Sequence, residues 1–325
     1  MNIGLTVRVL PHLVNALVRV RRGQPIAMSF DIADYCTLKC PYCYWLESTR
    51  HQQLERDAIV AITRSSRALG VVHATWLGGE PALRPDVLEA VVPLVPLNWV
   101  VTNGMRVRPM VKGYDRFDLA TDLGRNTWII VSLDGVGPAH DRSRNHPGLY
   151  QEIVNRFYRT ARSPRTLITT TLHPGNRDQP KALLEAWRRS GVLGMTFEFA
   201  TAIGRPACPG LDLVGDTRDR VIDELVALKR RFGSFMKNSL LGLEMQRARN
   251  LPAWTGPGRC PTTAFSVSYD SLGRRKSPCV LGSSPLNSHG KRPDCNACGC
   301  HVPTLFEGMR RLDWQTLQAA FWFLS

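Results

Sequence analysis

The sequence lacks an uninterrupted apolar run of the ~20 residues that a membrane-spanning helix needs. Its longest candidate, residues 3–20, is broken by Arg8, Pro11, Asn15 and Arg19. The same stretch lacks the layout of a cleaved signal peptide, so a cytoplasmic chain is expected. There is no low-complexity segment and no internal repeat beyond an alternation of strands and helices. With 43% hydrophobic, 8% aromatic and 21% charged residues, the composition excludes disordered, collagen-like and channel-forming classes. Acidic residues are scarce, 27 against 42 basic ones, for a formal net charge of +15. That excess suits nucleic acid, an anionic membrane face or an anionic substrate, and does not choose among them. A nucleic-acid partner is not favoured, because no separate binding module and no aromatic-interleaved basic patch is present.

At ~150 residues per domain, 325 residues allow two domains, or one full-sized barrel with an appendage. Strand-like runs recur at 26–32, 73–77, 99–102, 128–133, 166–172 and 195–199, with helical periodicity at 54–69, 84–92, 150–161 and 179–189. Strands alternating with helices imply right-handed crossovers and a parallel sheet, here a curved, partial α/β barrel. A basic amphipathic segment, 11–22, precedes the first strand. Its arginines with Arg8 suit peripheral membrane contact, whereas its apolar stripe suits closing the barrel. After the sixth strand a Pro/Gly-rich loop (204–215) leads to a helical stretch reaching about residue 250. A hairpin pattern follows, 264–269 and 274–277 about Asp-Ser-Leu-Gly.

Nine cysteines in a chain read as cytosolic argue for metal binding rather than disulfides. Cys36, Cys40 and Cys43 sit in the loop directly after the first strand, at the carboxyl end of the sheet where α/β proteins bind ligands. Three thiolates on one loop can hold three irons of a four-iron cluster and leave the fourth open, whereas zinc wants a fourth protein ligand. The CxxxCxxC spacing, with Tyr42 before the last cysteine, resembles the signature of the radical S-adenosylmethionine (SAM) superfamily. Cys260 and Cys279 stand at the feet of the hairpin pattern, and Cys295, Cys298 and Cys300 follow in CNACGC. Four of these thiolates can gather one further cluster, or equally a structural zinc. The pattern resembles the twitch type of auxiliary-cluster module and falls short of a full SPASM module. Cys260, Cys279, Cys295 and Cys298 are the expected ligands, with Cys300 the replacement for either of the last two. Cys208 is read as a bystander.

The resemblance implies a partial (βα)6 TIM-like barrel over 25–205, preceded by an amphipathic helix (1–24) and followed by a helical bridge (206–258). A small β-hairpin auxiliary iron-sulfur domain (259–302) and a tail (303–325) complete the chain. The implied cofactors are a SAM-binding [4Fe-4S] cluster, SAM and an auxiliary [4Fe-4S] cluster, with a flavodoxin or ferredoxin as reductant. Tyr42 belongs to the same signature. Gly78-Gly79-Glu80-Pro81 resembles the family's GGEP motif, with glycines for close backbone approach and Glu80 facing the SAM ammonium. Asn103, Ser132 and Asp134 match family positions near the ribose and methionine carboxylate. The cluster passes an electron to SAM, and a 5′-deoxyadenosyl radical results. Asp34, Tyr35, His173 and Glu198, near strand ends, are the expected acids, bases or hydrogen donors. The layout as a whole is similar to the hopanoid adenosyltransferase branch, which adds the radical to a lipid alkene. It departs from that branch in its final CxxCxC spacing and its tail. The expected activity is hydrogen abstraction from a small-molecule intermediate, with addition to a lipid alkene, or peptide or RNA modification, as alternatives. Against a peptide stands the short stretch before Cys36, which leaves no room upstream for a peptide-recognition domain.

Overall fold

The computed structural model describes residues 3–43, 45, 53–201, 211–276, 279–281 and 293–320. In chain order the elements are α1 (Ile3–Arg21), β1 (Ala27–Ala33), α2 (Arg56–Ala68), β2 (His73–Gly78), α3 (Pro85–Val91), β3 (Leu97–Thr102) and β4 (Thr127–Ser132). Then come α4 (Pro138–Arg144), α5 (Leu149–Phe157), β5 (Thr166–Leu172), α6 (Pro180–Trp187), β6 (Met195–Phe199), α7 (Gly215–Phe232), α8 (Leu240–Met245) and α9 (Leu251–Trp254). The chain continues with α10 (Pro261–Phe265), β7 (Ser266–Tyr269), α11 (Val302–Arg310) and α12 (Trp314–Ala320). The strands form one half-barrel sheet in the order β6-β5-β4-β3-β2-β1-β7, with every neighbouring pair parallel.

Helices cover one face of this sheet, so its strands carry near-continuous apolar runs, as parallel strands must. Alternate side chains serve two cores. Phe30, Trp76, Val100, Ile129 and Ile168 pack with Leu88, Ile153 and Leu183 of the helices. Trp99, Trp128, Ile130 and Leu167 gather on the opposite face. The result is a sheet whose loops at the carboxyl ends of β1 to β6 open at one rim.

The six expected strands are all present. Two expectations fail in instructive ways. The hairpin is not a separate unit: its first arm is β7, which pairs in parallel with β1, while the return survives as a single Tyr269–Arg275 bridge. The helical stretch expected to run to residue 250 ends at Gly233 (φ 57°), a conformation that suits glycine, and resumes as α8 and α9. The lead-in helix α1 buries Ala16 and Val20 in a cluster with Phe265 and Phe306, leaving Val14 and Val18 exposed. Among the described residues, no helix is long and apolar enough to cross a membrane.

Candidate functional site

The loop carrying Cys36, Cys40 and Cys43 leaves β1 at the rim, and β2 holds it there. Gly79 N–H donates to Ala33 O (2.8 Å) and Glu80 N–H to Tyr35 O (2.8 Å). These backbones pass so closely that a Cβ on Gly78 would lie 2.2 Å from Ala33 O, and one on Gly79 would lie 2.1 Å from Tyr35 O. The glycines therefore seat the cysteine loop. Within the loop Leu38 N–H donates to Cys36 Sγ (3.4 Å), and Cys40 Sγ donates to the Arg144 carbonyl (3.7 Å). Burial pushes the Cys36 and Cys40 thiols up to about 12, so iron must displace protons to bind there.

Glu80, expected to face the SAM ammonium, is fully buried. Its Oε1 accepts from Ala82 N–H (3.0 Å) and Thr102 Oγ1 (2.8 Å), and its Oε2 from Asn103 N–H (2.8 Å). The carboxylate thus clamps the end of β2 to the end of β3. Asn103 is turned to the loop as well: its Nδ2 donates to Thr37 Oγ1 (3.1 Å) and lies 3.8 Å from Cys36 Sγ. Asp134 is likewise consumed within the protein. Arg144 grips it through Nε (2.6 Å) and Nη2 (3.1 Å), and Tyr42 Oη (2.5 Å), Ser143 Oγ (3.1 Å) and Thr171 N–H (3.1 Å) also donate to it. Burial would raise this carboxyl, but the Arg144 charge and hydrogen bonds, His140 and the Tyr42 hydroxyl outweigh it and hold it at about 2. Tyr42 thereby ties the end of the cysteine loop to β4. Ser132 is buried at the last residue of that strand. Glu80, Asn103, Asp134 and Tyr42 thus form the wall that shapes the rim where the sequence reading places SAM.

Of the four expected acid-base residues, His173 is pinned. Its Nδ1 accepts from Gly175 N–H (3.2 Å), which leaves Nε2 to donate to Ser143 Oγ (2.8 Å), and that hydroxyl donates on to Asp134. Burial lowers its pKa. Asp34 is buried and takes a 3.2 Å hydrogen bond from the Gln53 amide, which accepts from Arg84 in turn. The Tyr35 carbonyl takes the Glu80 bond, and Lys39 Nζ lies 5.7 Å from the Tyr35 ring centroid. Glu198 keeps its side chain 27% exposed while bonding His301 Nδ1 (3.0 Å) and Thr171 Oγ1 (3.4 Å). Arg144 escaped the sequence reading, although it stands ten residues after Asp134 in the same segment.

The second cysteine group surrounds a small cavity. Cys260, Cys279, Cys295, Cys298 and Cys300 all line it. Burial raises the Cys279 thiol to about 11 and the Cys298 thiol to about 12. Among the described residues, no three His, Cys, Asp or Glu side chains converge tightly enough to hold a single metal ion. Four thiolates of this ring are a donor set for a four-iron cluster, and equally for a structural zinc. The cavity abuts the sheet: Phe199 N–H donates to Gly299 O (3.0 Å), and a Cβ on Gly299 would sit 1.7 Å from Phe199 O. Cys208 and the apolar end of the tail lie outside the described residues.

A parallel half-barrel with a cysteine triplet at the carboxyl end of its first strand defines a class of radical enzymes that bind SAM at an iron-sulfur cluster. Residues 31–186 match the model of the Radical SAM superfamily, and the chain carries a Radical SAM domain. Enzymes of that superfamily use a [4Fe-4S] cluster and SAM. Among curated proteins the chain is similar to the sporulation killing factor maturation protein SkfB of Bacillus subtilis, 24% identical over 267 residues, 81% of this chain and 62% of SkfB. It is also similar to the PqqA peptide cyclase of Methylocella silvestris, 36% identical over 174 residues, 51% of this chain and 44% of the cyclase. The chain thus spans less than two thirds of either relative. Among solved structures it superposes on Streptococcus suis SuiB bound to SAM, with TM-score 0.61 and 13% identity over 89% of this chain and 68% of SuiB. It also superposes on anSMEcpe with bound SAM, with TM-score 0.58 and 12% identity over 89% of this chain and 83% of that one.

Proposed function

We propose that this radical SAM enzyme matures a peptide, with Cys36, Cys40 and Cys43 holding the SAM-binding cluster and four of the five cavity cysteines holding an auxiliary one. The observation that carries the two-cluster part is the abutment of the cysteine cavity on β6 at the rim that bears the cysteine loop. The peptide is favoured by SkfB and the PqqA peptide cyclase, the second of which by its name cyclises a peptide. The small-molecule and lipid readings of the sequence therefore give way to its peptide alternative. SAM on the reduced cluster supplies a 5′-deoxyadenosyl radical. The chain's own residues do the positioning: Gly78 and Gly79 seat the loop, and Tyr42, Asp134 and Arg144 lock its far end. Glu198, partly open at the end of β6, is the side chain offered to substrate. A flavodoxin- or ferredoxin-type protein is the proposed reductant.

The test is anaerobic turnover of the reconstituted enzyme with SAM, dithionite and a displayed random-peptide library, beside a parallel arm with unsaturated lipid vesicles. Release of free 5′-deoxyadenosine together with peptides lighter by two hydrogens supports the proposal. Adenosylated lipid, with the peptides unchanged, overturns it.

A further inference from the structure

Arg218, in the first turn of α7, is a large charged side chain with no solvent exposure. Its Nε donates to the Gln246 carbonyl (2.6 Å) and its Nη2 to the Cys298 carbonyl (2.7 Å). The guanidinium lies 4.3 Å from the Phe199 ring centroid. Among the described residues its buried Nη1 has no hydrogen-bond partner, and no carboxylate comes within ion-pair distance of the guanidinium. Carbonyl dipoles and an aromatic face soften a buried cation but carry no counter-charge, and a buried charge without one is strongly disfavoured. Buried Lys276 and Arg144 are compensated, Lys276 Nζ by Asp31 Oδ2 at 2.8 Å and Arg144 by Asp134, whereas buried Lys229, like Arg218, meets carbonyls, those of Gly233 and Met236. Arg218 differs in what lies beside it. It holds the backbone of Cys298, whose thiol lines the five-cysteine cavity, and its partner Gln246 donates through Nε2 to the carbonyls of Gly299 (3.1 Å) and Cys300 (3.2 Å).

We infer that Arg218 is the built-in counter-charge of an anionic cluster in this cavity, which raises the cluster's reduction potential while fixing the Cys298–Cys300 backbone through Gln246. The inference rests on the proposal that the cavity holds an iron-sulfur cluster. Four thiolates outweigh the positive charge of a four-iron core, so the filled cavity is negative and becomes more so on reduction. A fixed cation in a low-dielectric surround then favours the reduced, more negative form. This makes Arg218 a positioning residue and sets it apart from the ligands themselves.

The experiment uses the full chain with Cys36, Cys40 and Cys43 replaced by Ala, so that only the cavity can hold iron. Iron is counted after anaerobic reconstitution, and the midpoint potential is read by electron paramagnetic resonance during a redox titration. Arg218→Gln keeps donors and drops the charge, whereas Arg218→Lys keeps the charge and drops the fork. The expected result is a more negative midpoint in Arg218→Gln and a midpoint close to that of the parent in Arg218→Lys. If Arg218→Gln loses iron, retention of iron by Arg218→Lys gives the same support. Equal potentials at full iron content overturn the role of Arg218 alone, as does loss of iron from both variants, which would make the role purely geometric. Absence of iron from the triple-Ala parent overturns the cluster assignment, and the inference with it.

Discussion

Arg144 and Asp134 meet across ten residues of chain, and Tyr42 reaches the same carboxylate from 92 residues away. This is the residue scale at which the sequence was least transparent. A carboxylate at a strand end shows which rim it belongs to, but which donors claim it depends on loops distant in sequence. Hence the clamps that Glu80 and Asp134 make within the protein were not legible in the sequence. The Asp134–Arg144 pair is buried, and breaking such a pair by removing one partner costs about 3 to 5 kcal/mol. Asp134→Asn should therefore lower the urea-unfolding free energy by about that much at neutral pH. The sign with pH follows from the carboxyl being held at about 2, below the ~3.9 of an unfolded aspartate. Its stabilisation is present above pH ~3.9 and fades as pH falls toward about 2, an effect of about 2 to 3 kcal/mol. The gap between wild type and Asp134→Asn should narrow over that interval. A gap that stays constant from pH 6 to pH 2.5 would rule out this assignment.

At the scale of elements, the strands were legible because β-branched and aromatic runs such as TLITTTL and TWIIVS leave little choice. β7 was not. Its four residues read as a hairpin arm, yet they join β1 through partners 239 residues away: Ser268 Oγ bonds Ser29 Oγ at 2.8 Å, and Tyr269 stacks on Phe30 at 5.4 Å. The short helix α4 was missed because its buried residues, His140, Ser143 and Arg144, are polar and show no apolar stripe. Two glycines carry the contacts between elements that seat the cysteines. Gly79→Ala drives a methyl into Tyr35 O and Cys36 N, and Gly299→Ala drives one into Phe199 O. Each should displace one cysteine group and spare the other. From about eight irons per chain, four per cluster, each variant should fall to about four. Addition of SAM should still alter the resonance signal of Gly299→Ala and leave that of Gly79→Ala unchanged. Full iron content in both would remove the glycines from the seating role.

For the molecule as a whole, the small auxiliary-cluster region expected at 259–302 is tied into the barrel sheet. β7 lies between Cys260 and Cys279 in the chain and is hydrogen-bonded along β1, the strand that leads into Cys36. The Cys298–Cys300 segment in turn leans on β6 at the opposite edge. The cavity cysteines are thereby tied to both edges of the sheet that carries the cysteine loop, and a cavity braced this way has no independent core to unfold. Denaturation of the reconstituted protein should consequently be one cooperative event. Cluster absorbance, tryptophan fluorescence and far-ultraviolet dichroism should share a single midpoint in guanidinium. The same coincidence should hold in the variant lacking Cys36, Cys40 and Cys43, where only the cavity reports through iron. A cluster signal lost at clearly lower denaturant than the secondary structure would mean that the auxiliary region melts by itself, and the two cysteine groups would then belong to separable folding units.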